Sequence, residues 1–180
     1  MMRTKWEIVF GGVGGQGLLL NGELLGAAAS ILEKRQAVMI GAYGTEARGA
    51  FTKADLILSE EYIDFPEVLR ADVVVALAQV AYDRYAAEMP EGSILLYNSD
   101  RVKETPSPAR RYGVPTETIA SGVGNPSGQN MVALGALLAL TRCARPDSVK
   151  EMIRRRFKGT ETLIAGNIAA FEGGYASVLG

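Results

Sequence analysis

Residues 72–77, DVVVAL, form a β-branched run that carries no charge after its first residue. Such a run is typical of a central parallel strand, because a strand buried on both faces has no side exposed to water. A sheet that contains such a strand needs helices packed on both of its faces. The run therefore favours an α/β fold.

The rest of the chain alternates between strand and helix patterns. Strands are predicted at residues 6–10, 37–43, 51–59, 72–77, 92–98 and 114–121, and helices at residues 17–35, 82–89, 126–142, 147–157 and 161–178. Residues 98–112 are polar and contain prolines, so a surface excursion is predicted there. This order predicts one domain over residues 1–180, a three-layer α/β/α fold with a largely parallel or mixed central sheet and a Rossmann-like first βα unit.

The composition excludes several kinds of site. Nineteen basic and twenty acidic residues leave a formal charge of −1, without the basic excess that nucleic acid binding requires. The chain has no histidine and one cysteine, Cys143, so an intrachain disulfide and a four-cysteine iron–sulfur site are impossible. The longest apolar run, residues 131–140, has about half of the ~20 residues that a membrane span needs. We expect a cytoplasmic protein without membrane contact.

A glycine-rich turn follows the first predicted strand. Gly12, Gly14 and Gly17 match the pattern G-x-G-x-x-G between a strand and a helix, with Gly15 and Gln16 inside it. Glycines at this spacing permit a tight turn, close approach of a ligand to the backbone, and close helix–strand packing. The helix N-terminus would also offer free N–H groups to an anion.

Three interpretations of this turn stay open: a purely structural turn, an anion or phosphate site, and a complete NAD site. A dinucleotide site requires an Asp or Glu about 20 residues further on, at the end of the second strand. That region reads AVMIGAYG and has no acid before Glu46. A P-loop is also excluded, because G-x-x-x-x-G-K-[ST] does not occur.

A second stretch of the same kind, SGVGNPSGQN, occupies residues 121–130. Asn125 followed by Pro126 suits the N-cap and first position of a helix. If both stretches follow parallel strands, two helix N-termini face one crevice at the carboxyl edge of the sheet. The alternative is that both are ordinary strand–helix connections.

Two further features each have two interpretations. The loop YGTEARGAF places Arg48 near Glu46. Arg48 either forms a solvated ion pair with Glu46 or binds a carboxylate, a phosphate or a partner subunit. The helix with NMVALGALLAL, residues 130–140, is apolar almost all round. It is either buried between the sheet and another layer or covered by another subunit.

Five stretches, taken in order, resemble one protein family. They are GGVGGQGLLLNGELLG (11–26), YGTEARGAFTKADLILS (43–59), ADVVVAL (71–77), GNPSGQNMVALGALL (124–138) and FKGTETLIAGNIAAFEGG (157–174). Together they resemble the gamma subunit of 2-oxoacid:ferredoxin oxidoreductases, the group that acts on pyruvate, 2-oxoglutarate, 2-oxoisovalerate or indolepyruvate. One position departs from the family pattern, since Ala50 stands where a second glycine is usual.

The resemblance implies that the chain is part of a hetero-oligomeric enzyme. This enzyme would convert a 2-oxoacid and coenzyme A into an acyl-CoA and CO2 and reduce ferredoxin. The substrate would be 2-oxoglutarate or a related 2-oxoacid. Thiamine diphosphate, magnesium and iron–sulfur clusters would reside on alpha, beta and delta-type partner subunits, and this chain would have no complete active site. Contact with coenzyme A, a phosphate or a partner is expected at Gly12, Gly14, Gly15, Gln16, Gly17, Arg48 and Asn125. The alternative is a free-standing α/β protein that binds NAD or coenzyme A.

Overall fold

The computed structural model describes residues 3–42 and 51–179. The strands are β1 (Lys5–Val13), β2 (Gln36–Ala42), β3 (Phe51–Ser59), β4 (Val73–Ala76), β5 (Ile94–Asn98) and β6 (Arg110–Val114). The helices are α1 (Leu18–Ala27), α2 (Gln79–Tyr85), α3 (Thr116–Gly122), α4 (Gln129–Thr141), α5 (Pro146–Arg156) and α6 (Glu161–Ser177). A short π-helical segment, Ala28–Leu32, extends α1.

All six strands form one mixed sheet in the order β2-β3-β1-β4-β5-β6. The strands β1, β4, β5 and β6 are parallel neighbours, whereas β3 runs antiparallel to both β1 and β2. The predicted α/β fold with a largely parallel or mixed sheet is therefore confirmed. The uncharged run at residues 73–76 is indeed a central strand, and all four of its residues are buried.

Two apolar cores lie on opposite faces of the sheet, because successive side chains of a strand point to opposite faces. Ile8 and Phe10 of β1 belong to the larger core, which is covered by α1, α3, α4, α5 and α6. Val9 belongs to the smaller core, which is covered by α2 through Ala81 and Tyr82. Helices therefore cover both faces of the sheet, as the three-layer prediction requires.

Helix α4 lies inside the larger core, and its residues from Asn130 to Ala139 are all buried. It packs backbone to backbone against α6. A Cβ atom placed on Gly135 would overlap the carbonyl oxygen of Phe171, and one placed on Gly174 would overlap the carbonyl oxygen of Val132. Burial within this chain therefore accounts for the apolar sequence of α4.

The last predicted strand was wrong. Residues 116–122 form α3, and the last strand, β6, comes earlier and begins within the part predicted as a surface excursion. The sequence patterns did not predict β6 because it is a polar edge strand whose only buried residue is Val114. Pro115 followed by Glu117 in the first turn of α3 is instead a helix start signal.

Helix α1 also ends earlier than predicted, since its π-helical extension stops at Leu32. Lys34 has a φ of 59°, in the left-handed region that cannot continue a right-handed helix. Within the described residues, no helix combines the length and the apolar character that crossing a membrane demands.

Helix α3 is capped by a side chain from a distant loop. Asp100 Oδ2 accepts hydrogen bonds from the backbone N–H groups of Glu117 and Thr118 at 2.8 and 3.0 Å, and its Oδ1 accepts one from the Thr118 hydroxyl. Burial raises the pKa of the Asp100 carboxyl, but these hydrogen bonds outweigh that effect and bring the pKa below its ordinary value.

Replacing Asp100 by alanine is expected to lower the free energy of unfolding by about 1 kcal/mol at neutral pH, as loss of a helix cap does. A carboxyl whose pKa is lowered by folding stabilises fully above its unfolded pKa of about 3.9. That stability is lost as the pH falls through the lower folded pKa. Urea unfolding between pH 3 and 7 measures the difference. Asp64→Ala, at an exposed aspartate, is the control; an equal loss in both variants would contradict the capping role.

Candidate functional site

The glycine turn, residues 12–17, joins the end of β1 to the start of α1 at the carboxyl edge of the parallel strands. Gly15 and Gly17 have φ values of 89° and 71°, a conformation that favours glycine over every other residue. Gly17 is the N-cap of α1, and no side chain caps this helix. The N–H groups of its first turn therefore point out of the turn without a side-chain partner.

The inner side of the turn is filled by Gln16. The Val13 N–H donates to Gln16 Oε1 at 2.9 Å, and Gln16 Nε2 donates to the carbonyl oxygen of Leu77 after β4 at 3.1 Å. A Cβ atom on Gly12 would collide with the Gln16 side-chain amide. A side chain at Gly12 would therefore displace the Gln16 amide, which fixes the turn to the neighbouring strand.

The outer side of the turn is open. A Cβ atom on Gly14 or Gly15 would meet no other atom within 4 Å. The depression there has a volume of about 100 Å³ and is lined by the turn together with Leu19 and Thr52. Pockets that hold whole cofactors measure several hundred Å³. In this chain the turn can accommodate a single phosphate-sized group or the edge of another protein.

The strand order argues against a complete NAD site. In a dinucleotide-binding fold the second strand lies beside the first, which brings its terminal acid to the ribose. Here β3 lies between β1 and β2, so β2 is about 10 Å from β1, two strand spacings away. The sequence of β2, QAVMIGA, also contains no acid. No observation favours the free-standing NAD-binding or coenzyme A-binding protein.

The N-termini of α1 and α4 pack against each other through a buried amide pair that the sequence did not reveal. Asn21 Nδ2 donates to the carbonyl oxygen of Asn130 at 3.0 Å, and Asn130 Nδ2 donates to Asn21 Oδ1 at 3.2 Å. Asn130 also fills the space where a side chain on Gly17 would project. The only sequence signal is an asparagine within each apolar helix, where polar residues are usually paired.

Asn125 does not have the predicted position. Helix α4 begins at Gln129 with Gly128 as its N-cap, so Asn125 is not a helix cap. The stretch around it follows α3 rather than a strand, which contradicts the prediction of a second strand–helix turn. Asn125 Nδ2 instead donates to Asn167 Oδ1 of α6 at 3.1 Å. It ties the connection between α3 and α4 to α6.

Of the predicted site residues, Gly12, Gly14, Gly15, Gln16 and Gly17 form one turn, and Asn125 lies in a separate connection. Arg48 lies outside the described residues, as do Glu46 and Ala50.

A buried carboxylate was also missed. Asp55 of β3 is 6% exposed, pairs with Lys53, and has one oxygen, Oδ1, without a hydrogen-bond partner. Burial raises the pKa of the nearby Tyr85 hydroxyl, and the charges of Lys53 and Asp55 also act on it, in opposite directions. An aspartate in the middle of the apolar stretch ADLILS was the available signal.

The residues that could hold a metal or a cluster are few. Within residues 3–42 and 51–179, no group of three or more His, Cys, Asp or Glu side chains is arranged to hold a metal ion. Cys143 is buried, and burial raises the pKa of its thiol to about 11. At neutral pH it is a thiol and a poor metal ligand, because the thiolate is the ligating form.

Comparison with known proteins identifies the family. Residues 7–177 match the family described as Pyruvate ferredoxin/flavodoxin oxidoreductase. The chain belongs to this family. The 2-oxoglutarate synthase subunit KorC of Methanocaldococcus jannaschii is 38% identical, over 97% of this chain and 94% of that protein. The ketoisovalerate oxidoreductase subunit VorA of Methanothermobacter thermautotrophicus is 34% identical over 93% of this chain and 35% of its own length.

A solved member of this oxidoreductase family has the same fold. The keto/oxoacid ferredoxin oxidoreductase gamma subunit of Geobacter sulfurreducens superposes with a TM-score of 0.84 at 35% identity, covering 97% of this chain and 98% of that one. The resemblance to gamma subunits of 2-oxoacid:ferredoxin oxidoreductases is therefore confirmed.

Proposed function

We propose that this chain is the gamma subunit of a 2-oxoacid:ferredoxin oxidoreductase that acts on 2-oxoglutarate. The reaction converts the 2-oxoacid and coenzyme A into an acyl-CoA and CO2, and two electrons pass to ferredoxin. The observation that carries the proposal is similarity along nearly the whole length of a 2-oxoglutarate synthase subunit. Two further relatives of the same name, from Archaeoglobus fulgidus and Methanothermobacter thermautotrophicus, support this choice of substrate.

The cofactors of the reaction belong, in this proposal, to the partner subunits. Thiamine diphosphate with magnesium supplies decarboxylation, and iron–sulfur clusters supply electron transfer. The donor set of this chain does not fit an iron–sulfur cluster, because one buried thiol cannot ligate a cluster that needs four cysteines. The partners are alpha, beta and delta-type subunits, with ferredoxin bound by the assembled enzyme. The cytoplasmic location and the single domain over residues 1–180 stay predictions.

The role we assign to the glycine turn is a contact made from its outer side. The N–H groups at the start of α1 and the open positions Gly14 and Gly15 can receive a phosphate group of coenzyme A or the backbone of a partner subunit. Gln16 keeps the turn rigid for this contact through its hydrogen bonds to Val13 and Leu77.

A Gly14→Trp variant tests this contact without disturbing the chain itself. Gly14 has no left-handed φ, and a Cβ atom there meets no atom within 4 Å. We expect the melting temperature of the isolated chain to be unchanged and acyl-CoA formation by the assembled enzyme to fall at least about tenfold, a loss near 1.4 kcal/mol. The control is Gly122→Trp, at a glycine whose surroundings are equally open.

The two possible contacts give different results. A phosphate contact predicts a complex that assembles normally but has a raised KM for coenzyme A. A partner contact predicts that less complex is recovered. Full activity and a normal KM in an intact Gly14→Trp complex would exclude both roles.

The function as a whole is tested by purifying the chain from its native host and identifying the chains that accompany it. We expect larger subunits that contain thiamine diphosphate and cysteine-rich subunits. The complex should oxidise 2-oxoglutarate faster than pyruvate or 2-oxoisovalerate, in the presence of coenzyme A and a low-potential acceptor. Turnover of a 2-oxoacid by the isolated chain, or tight binding of NAD to it, would refute the proposal.

A further inference from the structure

The connection between β3 and β4 exposes a cluster of large apolar side chains. Tyr62, Phe65 and Leu69 are 79%, 52% and 78% exposed and lie within eight residues of one another. The other large exposed apolar residues of the described chain occur singly: Ile31, Ile40, Val80, Val123, Leu163 and Leu179. Scattered exposed apolar residues are normal on a protein surface, whereas a cluster with aromatic members is typical of an interface. We call residues 60–69 the aromatic connection.

The aromatic connection is held in place at both ends. The Glu60 N–H donates to the carbonyl oxygen of Thr4 at 3.0 Å. At the other end the Arg70 N–H donates to Glu7 Oε2 at 3.3 Å. Val68 turns inward and packs on the smaller core. The exposed side chains are therefore presented on a fixed loop, which reduces the entropy that a partner must remove on binding.

A cavity of about 470 Å³ adjoins this loop. Its apolar lining comes from Val68 and Leu69 on one side, Met89 and Pro90 after α2 on another, and Val9 of the sheet. Charged side chains also line it: Lys53, Arg70 and Glu88. This volume is enough for one large side chain of a partner, the arrangement found where a few residues dominate the energy of an interface.

The aromatic connection is also strongly acidic. Glu60, Glu61, Asp64 and Glu67 are all exposed, and no Lys or Arg occurs between residues 60 and 69. None of the four takes part in an ion pair among the residues that the structure describes. A partner that supplies Lys or Arg around an apolar anchor would match both features.

We propose that the aromatic connection and the adjoining cavity dock another subunit of the same oxidoreductase through a basic surface with an apolar anchor. The inference rests on the proposed function and adds a partner site to it. A second copy of this chain is a poor occupant, because a two-fold interface through this surface would place acidic side chains against acidic side chains. The site lies at the start of β1, about 25 Å along the strand from the glycine turn at its other end.

The test uses the full chain, co-expressed with its partner subunits and recovered through a tag on one of them. Phe65→Ser/Leu69→Ser and Glu60→Lys/Glu61→Lys are expected to lower recovery of the chain at least about tenfold, while the melting temperature of the isolated chain stays the same. The wild-type association should weaken with added NaCl, and the charge-reversed variant should lose most of that dependence.

Matched controls change exposed residues outside this surface. Val80→Ser/Val123→Ser and Glu23→Lys should be recovered like the wild type. Normal recovery of both aromatic-connection variants would overturn the docking proposal and leave the proposed function standing. So would a homodimer of the isolated chain that the Phe65→Ser/Leu69→Ser variant abolishes. Failure of the wild-type chain to associate with any partner subunit would overturn the proposed function, and the docking proposal with it.

Discussion

Replacing Gly135 by alanine is expected to destabilise the chain by about 3 kcal/mol, the largest effect that we predict for a single added methyl group. The methyl carbon would lie 2.9 Å from the carbonyl carbon of Phe171 and would overlap its oxygen. Both atoms belong to the backbone of α6, so no side-chain rotation can relieve the contact. Helices α4 and α6 must separate, and the larger core that they cover must loosen. Gly174→Ala should act in the same way, because it meets the backbone of Val132.

The expected loss of stability in Gly135→Ala is opposite in sign to the usual effect of replacing glycine by alanine in a helix. Within a helix, glycine to alanine normally stabilises by up to about 1 kcal/mol, because alanine has the higher helix propensity. Gly122→Ala, at a helical position with no atom within 4 Å, provides that baseline. Urea unfolding followed by circular dichroism measures all three variants. A Gly135→Ala protein as stable as the Gly122→Ala protein would show that the two helices are not in backbone contact.

Replacing Asn21 by alanine is expected to cost about 2 kcal/mol of unfolding free energy. Asn21 is fully buried and its amide exchanges two hydrogen bonds with Asn130. Truncation removes both bonds and leaves the Asn130 amide N–H without its acceptor in a place that water does not reach. The start of α1 should then move relative to α4. Because the glycine turn leads directly into α1, the loss of this pair should also change the geometry of the turn.

A double-mutant cycle separates the pair from its surroundings. Asn21→Ala, Asn130→Ala and the combined variant should show a coupling energy of about 1 kcal/mol, because the bond from Asn130 Nδ2 to Asn21 Oδ1 needs both side chains, whereas Asn130→Ala keeps the backbone carbonyl that accepts from Asn21. Gln36→Ala, at an exposed polar residue on the edge strand β2, should change the stability by less than about 0.5 kcal/mol. Strictly additive losses at Asn21 and Asn130 would mean that the hydrogen bond between the two side chains contributes no stabilisation.

Local sequence patterns predicted the strands and helices that are buried on all sides. The central strand β4 and the helix α4 are apolar throughout because both are covered on all sides, and the sequence shows that directly. The glycine turn was predictable because its left-handed residues must be glycine. Strand β6 was misplaced because an edge strand requires little burial, and its polar residues resemble those of a loop.

The sequence predicted the glycine turn of the candidate site but not the position of Asn125. The five turn residues all lie between positions 12 and 17, so one motif contains them all. Asn125 looked like a helix cap, but its side chain ties the connection between α3 and α4 to Asn167 of α6, 42 residues further along the chain. Nothing local distinguishes an asparagine that caps its own helix from one that bonds a distant helix.

The sequence by itself determined the α/β class, the glycine turn and the family, because these depend on residue type and on order along the chain. Only the tertiary structure decided that β3 separates β1 from β2, that Gln16 fills the inside of the turn, and that α4 and α6 touch through their backbones. Each of these depends on which distant segments become neighbours. That choice is made by packing the whole chain at once, and short sequence patterns do not encode it.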